Sequence, residues 1–327
     1  MHESEAFRFS LIFMQDSDNK KQPELTGVIA VDKPQNITSA KVVAYVKRLL
    51  NARKVGHAGT LDPFAQGVLV CCINDATRLA RFLLAGNKTY EATLKLGIET
   101  DTQDSTGTVT AESREFDYSA DTIRSVVEQF EGIIDQQPPV FSALKHKGTP
   151  LYKLARKGTP VQKPARKVHI SSIKILAIKL PLVHLKVCCS AGTYIRTLCA
   201  DMGKQLGCGG HLFALKRLES SGFKIQQAIS LPVLEKRALA GEYSSFIVSM
   251  ADALPDMPAY VADQNLIEKI RHGKPVTKKD LSFDPVFARK NTHATNIKVV
   301  DAGNRLLAVL NFIKNQDKFS YACVFPN

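Results

Sequence analysis

At 327 residues the chain has room for about two domains of ~150 residues each, and its hydrophobic fraction of 44% excludes a disordered chain. No run of ~18 apolar residues occurs, which argues against a membrane span. The formal net charge is +13, from 44 Lys+Arg against 31 Asp+Glu, and such a balance suits a polyanionic partner.

In chain order, residues 1–24 carry a short apolar patch from Phe9 to Met14 with acids on both sides. They show neither a basic leader nor a small-residue cleavage site, so they read as an N-terminal extension. Gly27 to Asp32 is a short apolar run stopped at Lys33-Pro34, the pattern of a buried strand. Thr38 or Ser39 can cap a helix running to Leu50, with Val42, Val46, Leu49 and Leu50 as its apolar stripe. A glycine-rich loop is expected from Val55 to Gly67, a second strand from Val68 to Ile73, and a helix from Thr77 to Leu84 closing at Gly86. Tyr90 to Leu96 alternates, with Tyr90, Ala92, Leu94 and Leu96 on one face.

Asp121 to Phe130 reads as a helix, Val183 to Cys189 as an alternating strand, and Thr193 to Leu206 as a helix ended by Gly207. A break falls near Glu242 to Pro258. Beyond it, Asn296 to Asn311 and Ser320 to Phe325 look like short strands of a small β-rich unit. Strands follow strands without a regular βαβ beat, which implies antiparallel pairing and an α+β fold.

The positive charge is concentrated. No Asp or Glu occurs between Gln136 and Ala200, a stretch that holds twelve cations: Lys145, Lys147, Lys153, Arg156, Lys157, Lys163, Arg166, Lys167, Lys174, Lys179, Lys186 and Arg196. Setting these twelve aside leaves 32 cations against 31 acids elsewhere. A solvated basic face has this composition; so does a nucleic-acid footprint, which the length of the acid-free run favours. The seven cysteines are odd in number and lack metal-ligand spacing, so neither a disulfide framework nor structural zinc is expected, and a reducing cytoplasm fits.

GHAGTLDPFAQG places His57 and Asp62 among glycines, where backbone can turn tightly. A carboxylate at such a loop tip can act on a sugar anomeric carbon. An Asp-Pro pair is also a common turn starter, and the residues alone leave both readings open. Nucleotide-binding glycine motifs and zinc-ligand motifs are absent.

GVIAVDKPQNITS, GHAGTLDPFAQGVL, KTYEATLKLGIETDTQDSTG, QQPPVFSALKHKGTPLYKLARKG, CSAGTYIRTLCADMG and GGHLFALKRLESSGF occur in this order. Together they resemble the TruB family of tRNA pseudouridine synthases over roughly Leu25 to Ile225. The resemblance implies isomerisation of uridine 55 in the T loop of tRNA, with glycosidic cleavage, rotation of the base and rejoining through carbon. It implies that Asp62 is the essential aspartate, Tyr90 the tyrosine that stacks on the flipped base, and Arg196 the arginine that pairs with the aspartate. It further implies that His57 supports the rearranged T loop, that Tyr194 and Leu218 line the pocket, and that Arg78, Lys33, Lys145, Lys147 and Arg156 contact RNA.

The fold it implies is a mixed, largely antiparallel sheet with flanking helices over 25–250, carrying a basic RNA-binding segment over 136–200. A PUA-like domain is expected over 251–327, on a looser likeness around RHGKPV. Neither metal nor cofactor is implied, nor a membrane or an obligatory protein partner; a cytoplasmic monomer acting on the T-arm is expected. Asn74 departs from the family's usual glycine, but asparagine tolerates left-handed backbone. Two other functions fit parts of the sequence: a guide-RNA-dependent pseudouridine synthase, and a tRNA-folding chaperone that needs no catalysis.

Overall fold

The structure, a computed structural model, describes residues 25–113, 117–243, 245–281, 296–313 and 318–325. The N-terminal extension expected over 1–24 lies outside these residues.

The first apolar run forms β1 (Gly27–Lys33), buried on both faces. Thr38 caps α1 (Ser39–Leu49), its hydroxyl accepting from the Lys41 N–H at 3.1 Å. Val42 and Val46 of its stripe have no exposed surface, which is worth ~1.5–3 kcal/mol for each side chain. The stretch expected as one glycine-rich loop instead opens with a short strand, β2 (Val55–His57), paired antiparallel to β3 (Gln66–Ile73). The loop proper is therefore residues 58–65. At its far end Gly67 cannot carry a side chain, since a Cβ there would lie 2.2 Å from the Arg217 carbonyl oxygen.

A 3-10 turn over Asn74–Leu79 leads into α2 (Ala80–Ala85). Asn74 does adopt left-handed backbone, with φ of 51°. Its side chain accepts from the Lys54 N–H at 3.0 Å and donates to the Leu25 carbonyl at 2.8 Å, bonds a glycine could not make. Next come β4 (Lys88–Leu96), the pair β5 (Ile98–Thr100) and β6 (Val109–Glu112), α3 (Ala120–Glu128) and β7 (Gly132–Gln136).

The acid-free segment is more ordered than its composition suggests. It holds a small hairpin, β8 (Lys145–His146) with β9 (Thr149–Pro150), then α4 (Leu151–Arg156). The long β10 (Arg166–Lys179), β11 (Leu182–Cys189) and α5 (Ile195–Leu206) follow, α5 ending on left-handed Gly207. β12 (Gly210–Ser220), β13 (Phe223–Lys224), β14 (Ile229–Ser230) and α6 (Leu231–Leu239) complete this part.

The main sheet has the order β14-β1-β3-β12-β4-β11-β10-β7, with β2 added to β3 and β13 to β12. Only β1/β14 and β3/β12 are parallel; the other pairs are antiparallel. The expected mixed, largely antiparallel sheet is thus present. Tyr90, Ala92, Leu94 and Leu96 of β4 pack in one cluster with α3 and α5. Leu69, Cys71 and Ile73 of β3 pack with α1 and α6.

The chain ends in a second sheet of order β15-β17-β18-β19-β16. Its elements are β15 (Ala259–Val261), α7 (Gln264–Arg271), β16 (Val276–Thr277), β17 (Asn296–Val300), β18 (Leu306–Ile313) and β19 (Lys318–Val324). Val300, Leu306, Val309 and Phe325 share a cluster with Val68, Val70 and Cys72 of β3, on the face opposite α1. The two sheets therefore share a core. Among the described residues no helix is long and apolar enough to cross a membrane.

Candidate active site

The site sits where the main sheet forks. β3 and β12 pair only at Gln66 with Lys216 and Gly67 with Arg217, while the other end of β3 pairs with β2 on that side. Residues 58–65 bridge the gap, and the peptides on both sides of Asp62 are tied down. The Ser39 hydroxyl donates to the Leu61 carbonyl and accepts from the Leu61 N–H, both at 2.9 Å. The Asn36 N–H donates to the Pro63 carbonyl at 2.8 Å, and the Lys33 ammonium donates to the same oxygen at 3.2 Å. A carboxylate between two anchored peptides has little freedom to drift.

Arg196 meets this carboxylate from the first turn of α5. Its Nε lies 3.0 Å from Asp62 Oδ2 and its Nη1 lies 3.5 Å from Asp104 Oδ2. The guanidinium also donates to the Thr102 carbonyl at 2.9 Å and the Phe141 carbonyl at 2.8 Å. The Arg196 and Asp104 side chains are each 6% exposed, against 35% for Asp62. The arginine is sealed and oriented from behind, and only Asp62 opens to solvent. Asp104 is held in turn by the hydroxyls of Thr102 and Thr106 at 2.8 and 2.6 Å.

Tyr90 stands on β4 directly across from Arg217 and Val187. It is 8% exposed, so it belongs to the core and offers only a rim to a ligand. Burial pushes its phenol pKa up, and the adjacent Arg217 guanidinium pulls it back. Leu218 is half-buried at a bulge, where β12 slips register between Arg217 and Glu219. Bulges of this kind re-aim side chains beside functional sites. Tyr194 caps α5; its N–H donates to the Gln136 side chain at 2.7 Å, and the Arg166 guanidinium lies 5.2 Å from its ring centroid. His57 is half-buried on β2, and its Nδ1 has no hydrogen-bond partner among the described residues. Burial and then the Arg217 charge hold its pKa below the ordinary histidine value.

The RNA contact expected of Lys33 is corrected. Lys33 has no exposed surface, and its three ammonium donors go to the carbonyls of Pro34, Ile37 and Pro63. It braces the loop from inside, and burial lowers its pKa to about 8, a shift that Asp62 opposes and Arg217 reinforces. Arg78 is exposed at the seam between the sheets, donating to the Val324 carbonyl at 2.6 Å. Lys145, Lys147, Lys153, Arg156 and Lys157 are exposed on the hairpin and α4, and Lys167, Lys174 and Lys179 on β10. The chain just before this hairpin reaches the site at Phe141, whose carbonyl Arg196 holds.

Sequence reasoning passed over Asp104 and Arg217. Asp104 lies in TDTQDSTG, whose threonines flank an aspartate at hydrogen-bonding spacing. Arg217 lies in KRLESS, where nothing in the alternation separates a fully buried arginine from the neighbouring half-exposed Lys216.

Comparison with known proteins places the chain in a family. The family model described as TruB family pseudouridylate synthase (N terminal domain) matches residues 47–195. The model described as tRNA pseudouridylate synthase B C-terminal domain matches residues 196–254, which lie before the second sheet. The chain is 44% identical to tRNA pseudouridine synthase B of Syntrophotalea carbinolica over 82% of this chain and 87% of that protein. It is 40% identical to the protein of the same name from Syntrophobacter fumaroxidans over 88% of this chain and 94% of that one. Among solved structures, it resembles a chain of a Cbf5-Nop10-Gar1 complex with a TM-score of 0.69 and 27% identity, over 92% of this chain and 85% of that one.

Proposed function

The chain belongs to the TruB family of pseudouridylate synthases, and from that premise we propose that Asp62 is the carboxylate at which it isomerises a uridine of tRNA, the one at position 55 in the T loop. The enzyme converts uridine to pseudouridine in tRNA. The observation that supports Asp62 is its pairing: a loop-tip carboxylate, open to solvent, held at 3.0 Å by a sealed arginine. An arginine in that place holds the carboxylate aimed.

Two routes use such a group. In one, an Asp62 oxygen bonds to C1′ while the C1′–N1 pair leaves with the uracil; the base turns, its C5 displaces the carboxylate, and the C5 proton is lost as N1 gains one. In the other, Asp62 takes the C2′ proton as the C1′–N1 bond breaks and the pair leaves with the uracil, giving a glycal; C5 then adds to C1′ as Asp62 returns the proton to C2′, and the C5 proton is lost as N1 gains one. Either way the base must leave its stack, and the rim of Tyr90 with Leu218 supplies an apolar place for it. Tyr194 and His57 contribute to the pocket and the T-loop contact. The exposed cations Lys145, Lys147 and Arg156 bind phosphates, and Arg78 extends the basic surface toward the second sheet. We take residues 25–250 as the catalytic unit and 251–327 as a PUA-like unit, and the enzyme as a monomer that works without a protein partner or guide RNA.

The test is release of tritium from C5 of uracil in unmodified tRNA mixed with the purified chain alone. Release in stoichiometric amount, mapped to position 55, is the expected result; release only on addition of a guide RNA or another protein contradicts the proposal.

A further inference from the structure

Among the described residues Arg217 is the largest side chain with almost no exposed surface, at 1%. Its Nε donates to the Val68 carbonyl at 2.7 Å, its Nη2 to Gly59 at 3.0 Å and its Nη1 to Thr60 at 3.4 Å. It therefore holds β3 and the loop together at the fork, two residues before Asp62. Among the described residues no carboxylate lies within ion-pair distance of it. Arginine stays protonated in proteins. A buried cation without a counter-ion is costly, and three neutral acceptors do not require a full charge to satisfy them. The charge presses on neighbouring groups: burial lowers the pKa of Lys33, Lys88 and His57 and the Arg217 charge adds to each shift, while burial raises the Tyr90 phenol and the same charge draws it back. Tyr90 alone among these lies directly across the strand pair from it.

We propose that Arg217 is a positioning residue of the isomerisation, one that locks the backbone carrying Asp62 and polarises the Tyr90 hydroxyl toward the departing base. The inference rests on the roles of Asp62 and Tyr90 proposed above. When C1′–N1 breaks, the electron pair stays with uracil, and a hydroxyl backed by a fixed guanidinium is a stronger donor to that anion. Arg217 neither bonds to substrate nor takes a proton.

The test is single-turnover pseudouridine formation and tRNA binding for wild type, Arg217→Lys, Tyr90→Phe and the double variant, each checked for fold by circular dichroism. Lysine keeps the charge but cannot span three carbonyls and the phenol. The expected result for Arg217→Lys is a rate at least 100-fold lower with tRNA affinity within threefold. Adding it to Tyr90→Phe should cost less than 10-fold more, because the two act through one another. A rate within threefold of wild type, or fully multiplicative losses, overturns the inference. Wild type without turnover overturns the functional reading itself, and this inference with it. Should Arg217→Lys not fold, wild-type enzyme labelled with ¹⁵N-arginine serves: the Arg217 Nε–H resonance should move on binding an unmodified T-arm stem-loop, and an unmoved resonance overturns the proposal.

Discussion

At the scale of single residues, the site consists of charges whose partners decide their use. Arg196 stands between an open carboxylate and a sealed one, so its loss leaves Asp104 buried and unpaired. Arg196→Met should lower stability by ~3 kcal/mol in urea unfolding as well as abolish turnover, the range for breaking a buried pair on one side. Lys33 carries a pH signature. Its folded pKa is about 8 and its ordinary value 10.5, so between these the unfolded chain keeps a proton that the folded chain has released. Stability contributed by this group therefore rises with pH across about 8 to 10.5. Lys33→Met should reduce that rise, measured by unfolding at pH 8 and pH 10; Lys88, shifted by burial to the same value, keeps the remainder. An unchanged rise in the variant would show that Lys33 does not titrate there. Asp62, Arg196 and Tyr90 stand in ordered motifs, and that order is what singles them out in the sequence; the 3.0 Å approach of Arg196 to Asp62 is a contact between motifs over 130 residues apart. Lys33 was misread because a lysine beside a proline looks like surface, and only the three carbonyls that converge on it reveal a brace.

At the scale of elements, the alternating strands β4 and β11 and the capped helices α1 and α5 follow closely from spacing and end signals. Tertiary contacts decide what spacing does not. β2 is three residues long and exists because β3 pairs with it; the fork between β3 and β12 depends on a parallel pairing of residues ~150 apart in the chain. The acid-free segment divides into a hairpin with α4 and the β10–β11 pair, a division that charge counting could not show. Leu151 at the start of α4 is fully buried, and Arg196 bonds the Phe141 carbonyl just before the hairpin. Amide exchange over Gln137 to Lys157 should slow when unmodified tRNA binds; unchanged protection would remove this segment from the RNA contact. Lys145→Gln, Lys147→Gln and Arg156→Gln together should flatten the dependence of log affinity on log salt by about 2–3, close to one for each lost phosphate contact.

At the scale of the whole molecule, the second sheet closes the first. Val300, Leu306, Val309 and Phe325 cover Val68, Val70 and Cys72, and the buried Lys298 ammonium donates to the Ala251 and Leu254 carbonyls at 2.8 Å each. The sequence suggested a separable appendage; hydrophobic residues of β3 that look like one covered strand are in fact shared between two packing partners. A chain ending at Met257 should therefore be aggregation-prone or unfold at a clearly lower temperature than the full chain, by thermal scanning, and equal melting would contradict the shared core. The proposal at the centre of this arrangement is that one carboxylate, Asp62, carries the reaction. Its most direct test is Asp62→Asn with unmodified tRNA, following pseudouridine by single turnover and tRNA affinity in parallel. The expected result is no detectable pseudouridine with affinity within a few-fold of wild type; pseudouridine formed at the wild-type rate would contradict the assignment of Asp62.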